Sequence, residues 1–268
     1  MPKIAANISM LFREFAMLDR FRAAGAAGFD GVEMQFPYAE SPEQLARAAE
    51  AAGMPVVLIN APVSREHPVG LAGRPEMRES FRAQLAQIVE YAQALKVRFV
   101  HVLAGQINST DERERCCHTY AENLLLAADV LAPHGVSVLV EALNAHDVPN
   151  YLVGTLADAQ SILDRCRQRV ALQFDLYHVA RMGLDPAAEL KQWLPLVRHV
   201  QFADAPDRHE PGTGGLRFEM ALRVLNAGGY GGWLSAEYTP LAATAAGLGW
   251  LGSWRRGAFG RAEMALDI

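Results

Sequence analysis

Eight times along its 268 residues this chain passes from a short apolar, β-rich run into a longer stretch with helical spacing. Strand-like runs are read near residues 3–8, 30–36, 54–60, 98–104, 135–141, 170–175, 198–203 and 233–238. Helical stretches are read near 13–27, 42–52, 75–95, 111–132, 156–168, 186–197, 217–227 and 245–256. In one of them Phe81, Leu85, Ile88, Ala92 and Leu95 recur every three or four residues and give a single apolar face. Ser41 before Pro42 is a helix-start signal, and Thr155 offers a second cap. Gly28, Gly53, Gly135 and Gly229 each fall between a helical stretch and the next strand, where a left-handed residue commonly closes a helix. Eight βα units in about 250 residues, without a break in composition, predict a single (β/α)8 TIM barrel. Its expected bounds are residues 1–257, with 258–268 as a C-terminal extension that has lost periodicity. An open doubly wound sheet would need a glycine-rich phosphate turn after the first strand, and Asn7-Ile8-Ser9-Met10-Leu11-Phe12 has none.

Composition narrows the functional classes. Hydrophobic residues make up 51% and charged residues 21%, enough to build a substantial core. A formal net charge of −5 opposes binding to nucleic acid through phosphate neutralisation. No run approaches the ~18 apolar residues of a membrane-spanning helix. The N-terminus enters a strand-like run directly, without the pattern of a secretory signal. Cys116, Cys117 and Cys166 are odd in number and lack disulfide-framework spacing, so they are read as reduced thiols in a cytoplasmic protein. Neither a membrane nor a nucleic acid is expected as a partner; a homo-oligomer is compatible with this composition.

Four apolar runs in the second half each end on a polar residue able to hold a metal: Glu141, Asp175, Gln201 and Glu237. They lie 34, 26 and 36 residues apart, room each time for one loop and one helix. In a barrel the C-terminal ends of all strands share one rim, so these four residues are expected to surround one point. Three carboxylates gathered there would raise each other's pKa, a conflict that a divalent cation removes. Oxygen ligands without cysteine favour Mg²⁺, with Mn²⁺ as the second choice.

Other polar residues fall on the same rim. His178, three residues past Asp175, is expected in the following loop as a hydrogen-bond donor or acceptor for substrate. His101 is read as a satisfied barrel histidine, and Asn7 and Glu33 as weaker rim candidates. The loop 203–214, stiffened by Pro206 and Pro211, carries Arg208 and Glu210, which join His178 as candidate substrate-binding residues. Arg208 is suited to a two-pronged grip on a carboxylate, or else to a salt bridge with Glu210 or Asp207. With two glutamates, a metal and no nucleophilic serine or cysteine in view, the chemistry that fits is proton removal beside a carbonyl and proton return to the adjacent carbon. That is an aldose–ketose isomerisation or an epimerisation, with Glu141 and Glu237 as the catalytic pair.

At these residues the chain resembles the hydroxypyruvate isomerase family of the xylose isomerase-like barrels. The likeness runs through Ala6-Asn7-Ile8-Ser9-Met10-Leu11-Phe12, Gly31-Val32-Glu33-Met34-Gln35-Phe36-Pro37-Tyr38, Val140-Glu141-Ala142-Leu143-Asn144 and Phe174-Asp175-Leu176-Tyr177-His178. It closes with His199-Val200-Gln201-Phe202-Ala203-Asp204, Arg208-His209-Glu210-Pro211-Gly212-Thr213-Gly214 and Glu237-Tyr238. The resemblance implies a TIM barrel that interconverts hydroxypyruvate and 2-hydroxy-3-oxopropanoate (tartronate semialdehyde). It also implies Glu141 and Glu237 as acid and base, and Glu141, Asp175, Gln201 and Glu237 as ligands of Mg²⁺. Related sugar 3-epimerases carry histidine where this chain has Gln201, which favours the isomerase branch. The similar 2-oxo-tetronate isomerases share several of these motifs and supply the alternative, four-carbon substrate. Many relatives place an acid after the glycine matching Gly214, where this chain has Gly215-Leu216. Two rivals are a zinc-dependent apurinic endonuclease, disfavoured by the few histidines at strand ends and the acidic balance, and a sugar-acid binding protein without turnover. Paired glutamates argue against the second, since binding alone needs no proton-transfer groups.

Overall fold

The computed structural model describes residues 2–107, 109 and 112–256; the expected extension 258–268 lies outside the described residues. Eight parallel strands close into a barrel in chain order: β1 (Lys3–Asn7), β2 (Gly31–Met34), β3 (Val56–Asn60), β4 (Phe99–His101), β5 (Ser137–Glu141), β6 (Ala171–Asp175), β7 (Val197–Phe202) and β8 (Trp233–Ala236). Closure is made by β8 against β1, with Ala5 opposite Ser235 and Ala6 opposite Ala236. The outer ring contains α1 (Met17–Ala26), α2 (Pro42–Ala52), α3 (Arg78–Leu95), α4 (Arg113–Leu131), α5 (Leu156–Arg165), α6 (Leu176–Arg181), α7 (Pro186–Trp193), α8 (Phe218–Ala227) and α9 (Gly249–Arg255).

Alternation along the strands divides the core in two. Ile4, Ala6, Val138, Val140 and Leu234 pack outward with helix residues such as Phe21, Leu45, Ile88 and Leu124. Ala5, Leu58, Leu139 and Trp233 face inward and fill the lower barrel with apolar groups. Gly31 is required beside Trp233, because a Cβ there would meet the indole at 2.9 Å. Further up, the inward positions are polar: Asn7, Glu33, His101, Glu141, Gln173, Asp175, His199 and Gln201 are all buried. A solvent-excluded interior of this kind is tolerated only if its polar groups find partners, so the upper barrel is where function concentrates.

Local signals placed most helix ends. Ser41 closes a capping box with Gln44, and Thr155 does the same with Asp158. Each is a feature worth about 1 kcal/mol. The four expected glycines all have positive φ, and Gly53, at 64°, is the left-handed cap of α2. Two departures have tertiary causes. α1 begins at Met17, later than expected, because Phe12 turns to φ 58° and donates its N–H to the Thr244 hydroxyl on the neighbouring segment after β8. The helix α6 was not expected. It starts directly on β6 because the Asp175 side chain accepts from the Tyr177 N–H, so His178 sits in a helical first turn and not in a loop.

Candidate active site

Glu141 ends β5, Asp175 ends β6, Gln201 lies one residue before the end of β7, and Glu237 follows β8. All four are buried, none more than 5% exposed. Two side chains tie them into two pairs, and the pairs are joined where ligand atoms of Glu141 and Asp175 lie within 4.8 Å of each other. Arg208 places Nη2 2.8 Å from Glu237 Oε2 and 3.6 Å from Asp175 Oδ2. Gln173 donates through Nε2 to Glu141 Oε2 at 2.8 Å and to Gln201 Oε1 at 2.6 Å. Residues separated by almost a hundred positions thus meet at the C-terminal mouth of the barrel.

The electrostatics follow from burial. Desolvation, then Glu237 and Asp175, push the Glu141 carboxyl well above the usual carboxylate range. Asp175 is pushed up to about 7, chiefly by burial and against the opposing influence of Arg208. Glu237 is also raised by burial, again with Arg208 opposing. Burial pulls the Arg208 guanidinium down, but Glu237, Asp175 and Glu141 outweigh it and hold the arginine charged. One guanidinium among three carboxyls leaves the site demanding more positive charge. Glu141 Oε1 and Asp175 Oδ2 are moreover buried without a hydrogen-bond partner. Ligand atoms of Glu141, Asp175 and His178 lie within 4.8 Å of one another, close enough for one metal ion. Hard carboxylate oxygens suit Mg²⁺ or Mn²⁺.

His178 is better described as a donor than as a ligand. Its Nδ1 receives the backbone N–H of Asn144 at 3.2 Å, and the Asn144 side-chain nitrogen lies 2.7 Å away. A backbone N–H can only donate, so Nδ1 accepts. Burial first, then Arg208 and His101, hold the imidazole well below its ordinary pKa and therefore neutral. The single ring proton is then on Nε2, 3.8 Å from Asp175 Oδ2 and 4.0 Å from Glu141 Oε1. From there it can donate to a substrate oxygen.

The long loop after β7 is built around Asp204. Its Oδ1 accepts from the Ala205 and Leu216 N–H groups, and its Oδ2 from those of Gly212 and Gly214, at 2.8–3.0 Å. Asp204 therefore orders the loop from its first turn, and no acid after Gly214 is needed. The loop presents Arg208 in a left-handed conformation (φ 60°) over the Tyr177 ring, 5.0 Å from its centroid. Arg208 pairs with Glu237 and Asp175, not with Glu210 or Asp207 as a local salt bridge would require. Glu210 points elsewhere: its Oε2 accepts from the Leu241 N–H at 3.1 Å, tethering this loop to the segment after β8. His101 corrects a second expectation. Neither of its ring nitrogens has a hydrogen-bond partner; Nδ1 faces Glu141 Oε2 at 3.6 Å, and burial pushes its pKa down to about 3.

Comparison with known proteins places this arrangement. The model of the xylose isomerase-like TIM barrel matches residues 21–254. The chain belongs to the xylose isomerase-like TIM-barrel family. Within the family it is 40% identical over 259 residues to a 2-oxo-tetronate isomerase of Cupriavidus necator, spanning 94% of this chain and 98% of the relative. It is 34% identical over 258 residues to the hydroxypyruvate isomerase of Escherichia coli, spanning 95% and 100%. A crystal structure from Brucella melitensis, described as an AP endonuclease of family 2, superposes with a TM-score of 0.91. It is 38% identical, over 95% of this chain and 99% of that one.

This family member carries site residues that spacing alone did not single out. Gln35 donates to Glu237 Oε1 at 2.8 Å, Gln173 joins Glu141 to Gln201, and Asn144 holds His178. Asn7, expected as a weaker rim candidate, donates to both Glu33 and Glu237 at 3.0 Å. A signal existed for Gln173 and His199: each stands two residues before a strand-end candidate and so shares its inward face. No comparable signal marks Gln35 and Asn144, which lie in loops.

Proposed function

We propose that this protein interconverts hydroxypyruvate and 2-hydroxy-3-oxopropanoate (tartronate semialdehyde), with Glu141 and Glu237 as the paired proton-transfer groups. The observation that carries the reading is the pair itself: two buried glutamates of raised pKa, on β5 and after β8, flanking a charged arginine at one mouth. General acid–base groups work best with pKa values near the working pH, and burial has moved these upward toward it. The family and the two isomerase relatives support the reaction class: the chain is an isomerase.

In this reading Arg208 grips the substrate carboxylate with its planar fork, and His178 donates Nε2–H to a substrate oxygen. One glutamate removes a proton from the hydroxyl-bearing carbon, leaving an enediolate. The hydroxyl proton passes to the neighbouring oxygen, and the other glutamate delivers a proton to the former carbonyl carbon. One C–H bond breaks and one forms, so the carbon skeleton and net charge are unchanged. Glu141, Asp175, Gln201 and Glu237 are the residues that would hold a divalent cation, Mg²⁺ first and Mn²⁺ second. When bound, it supplies Lewis-acid polarisation of the carbonyl, an effect of several kcal/mol. Glu210 supports substrate binding indirectly, through the tether that holds the Arg208 loop. Three free, buried cysteines suit the reducing cytoplasm, where we place the protein. Among the described residues, no helix is long and apolar enough to cross a membrane.

A four-carbon substrate is the second reading, favoured by the 40% identity to a 2-oxo-tetronate isomerase. The deciding experiment compares rates on hydroxypyruvate and 2-oxo-tetronate, with and without Mg²⁺. Faster, Mg²⁺-dependent turnover of hydroxypyruvate is the expected result. Faster turnover of 2-oxo-tetronate would move the assignment to the four-carbon acid. No exchange of a substrate C–H with solvent deuterium on either would overturn the isomerase mechanism.

A further inference from the structure

Between the two proposed proton-transfer glutamates runs an unbroken chain of buried hydrogen bonds: Glu141, Gln173, Gln201, Glu33, Asn7, Glu237. Glu33 stands in its middle and is fully buried. Its Oε1 accepts from Gln201 Nε2 at 2.7 Å and from Asn7 Nδ2 at 3.0 Å. Its Oε2 lies 2.6 Å from His199 Nε2. None of the proton-transfer steps above uses Glu33.

An ionised carboxylate only accepts hydrogen bonds. Any amide that touches it must present its nitrogen, and its oxygen then faces the other way. Gln201 obeys this: Nε2 is on Glu33, and Oε1 is turned toward Gln173, whose Nε2 also reaches Glu141. Asn7 obeys it too. Its Nδ2 spans Glu33 and Glu237, while its Oδ1 accepts from the Ser9 N–H at 3.1 Å. A neutral amide ligates a hard cation only through oxygen. The orientation of Gln201 therefore decides whether that side chain can be a ligand at all.

We propose that Glu33 is a positioning residue whose carboxylate sets the amide orientation of Gln201 and Asn7, and through them presents the Gln201 oxygen and the Glu237 carboxylate to the reacting centre. The inference rests on the cation-assisted isomerase reading above and assigns Glu33 a task within it. A purely structural Glu33 would do no more than hold the His199 ring in place.

The test is Glu33→Gln in the full chain, read first by titration with Mn²⁺ alone, following the free ion by electron paramagnetic resonance. Partners that orient a ligand typically contribute 10–100-fold in metal affinity, so a loss of at least about tenfold is expected. In a Gln201→Leu background the same substitution should cost clearly less, because one of the two amides that Glu33 orients is gone and only the Asn7–Glu237 arm remains. An equal loss in both backgrounds, or no loss in the first, overturns the proposal. If Glu33→Gln does not fold, the crystal structure of the unaltered protein with Mn²⁺ decides. Gln201 Oε1 on the cation with Nε2 on Glu33 supports the proposal, and any other orientation of that amide overturns it. An unaltered protein that neither binds Mn²⁺ nor isomerises either substrate removes the underlying reading and this one with it. An active unaltered protein with an indifferent Glu33→Gln variant removes this one alone.

Discussion

Single residues carry the chemistry, and their substitutions give the most direct checks. Glu141→Gln and Glu237→Gln keep size and hydrogen bonding but lose the transferable proton, so each should lower kcat by at least about 10²-fold with an unchanged circular dichroism spectrum. Near-normal turnover in either variant would refute the paired assignment. Arg208→Ala should raise KM for a carboxylate substrate by at least about tenfold, more than for a neutral ketose, because a charge-assisted two-pronged contact is lost. Equal effects on both would reduce Arg208 to a partner of Asp175 and Glu237. The strand-end acids were legible because each terminates an apolar run, and a carboxylate in that place needs a reason. His101 was not. Its sequence neighbours are those of any core histidine, and only the approach of Glu141 to 3.6 Å distinguishes it.

Elements decide how accurately those residues are held. The loop after β7 depends on one buried carboxylate, Asp204, that gathers four backbone N–H groups. Asp204→Ala should leave the barrel folded but release Arg208, lowering kcat/KM by about 10–100-fold, since small misplacements at a reacting centre have effects of this size. A variant with full activity would show that the loop keeps its shape without the clasp. Caps and glycines marked α2 and α5 in advance because those signals are local. The ends of α1 and α6 depart from expectation because they are set elsewhere, by Thr244 on the neighbouring segment after β8 and by the Asp175 side chain. Sequence spacing carries no record of such partners.

At the scale of the whole molecule, closing the barrel concentrates acids in a dry interior and ties stability to pH. Asp175, at about 7, and Glu141, well above its ordinary value, are more easily protonated folded than unfolded. Their contribution to stability is therefore complete below the unfolded carboxylate pKa of about 4 and is lost as pH rises through the folded values, about 7 for Asp175. Without added metal, Tm should fall between about pH 5 and about pH 8, and stabilisation by Mg²⁺ should grow over the same window as the ligands ionise. Asp175→Ala should abolish that Mg²⁺ effect. Calorimetry in the presence and absence of the ion measures both, and a pH-independent shift would contradict the shared cation site.

Eight βα alternations in one chain leave few ways to bury every apolar face, and polar ends on four successive strands imply a common rim. Those are one-dimensional patterns, and they already specify the barrel and the rim on which Glu141, Asp175, Gln201 and Glu237 gather. Folding adds the pairwise contacts. Arg208 rests on Glu237 and Asp175, Glu210 turns to Leu241, and Glu33 meets His199 and Gln201 across 166 and 168 residues of chain. Periodicity specifies which way a side chain faces relative to its own strand. Which groups it touches depends on barrel closure and on loops whose shape comes from distant partners.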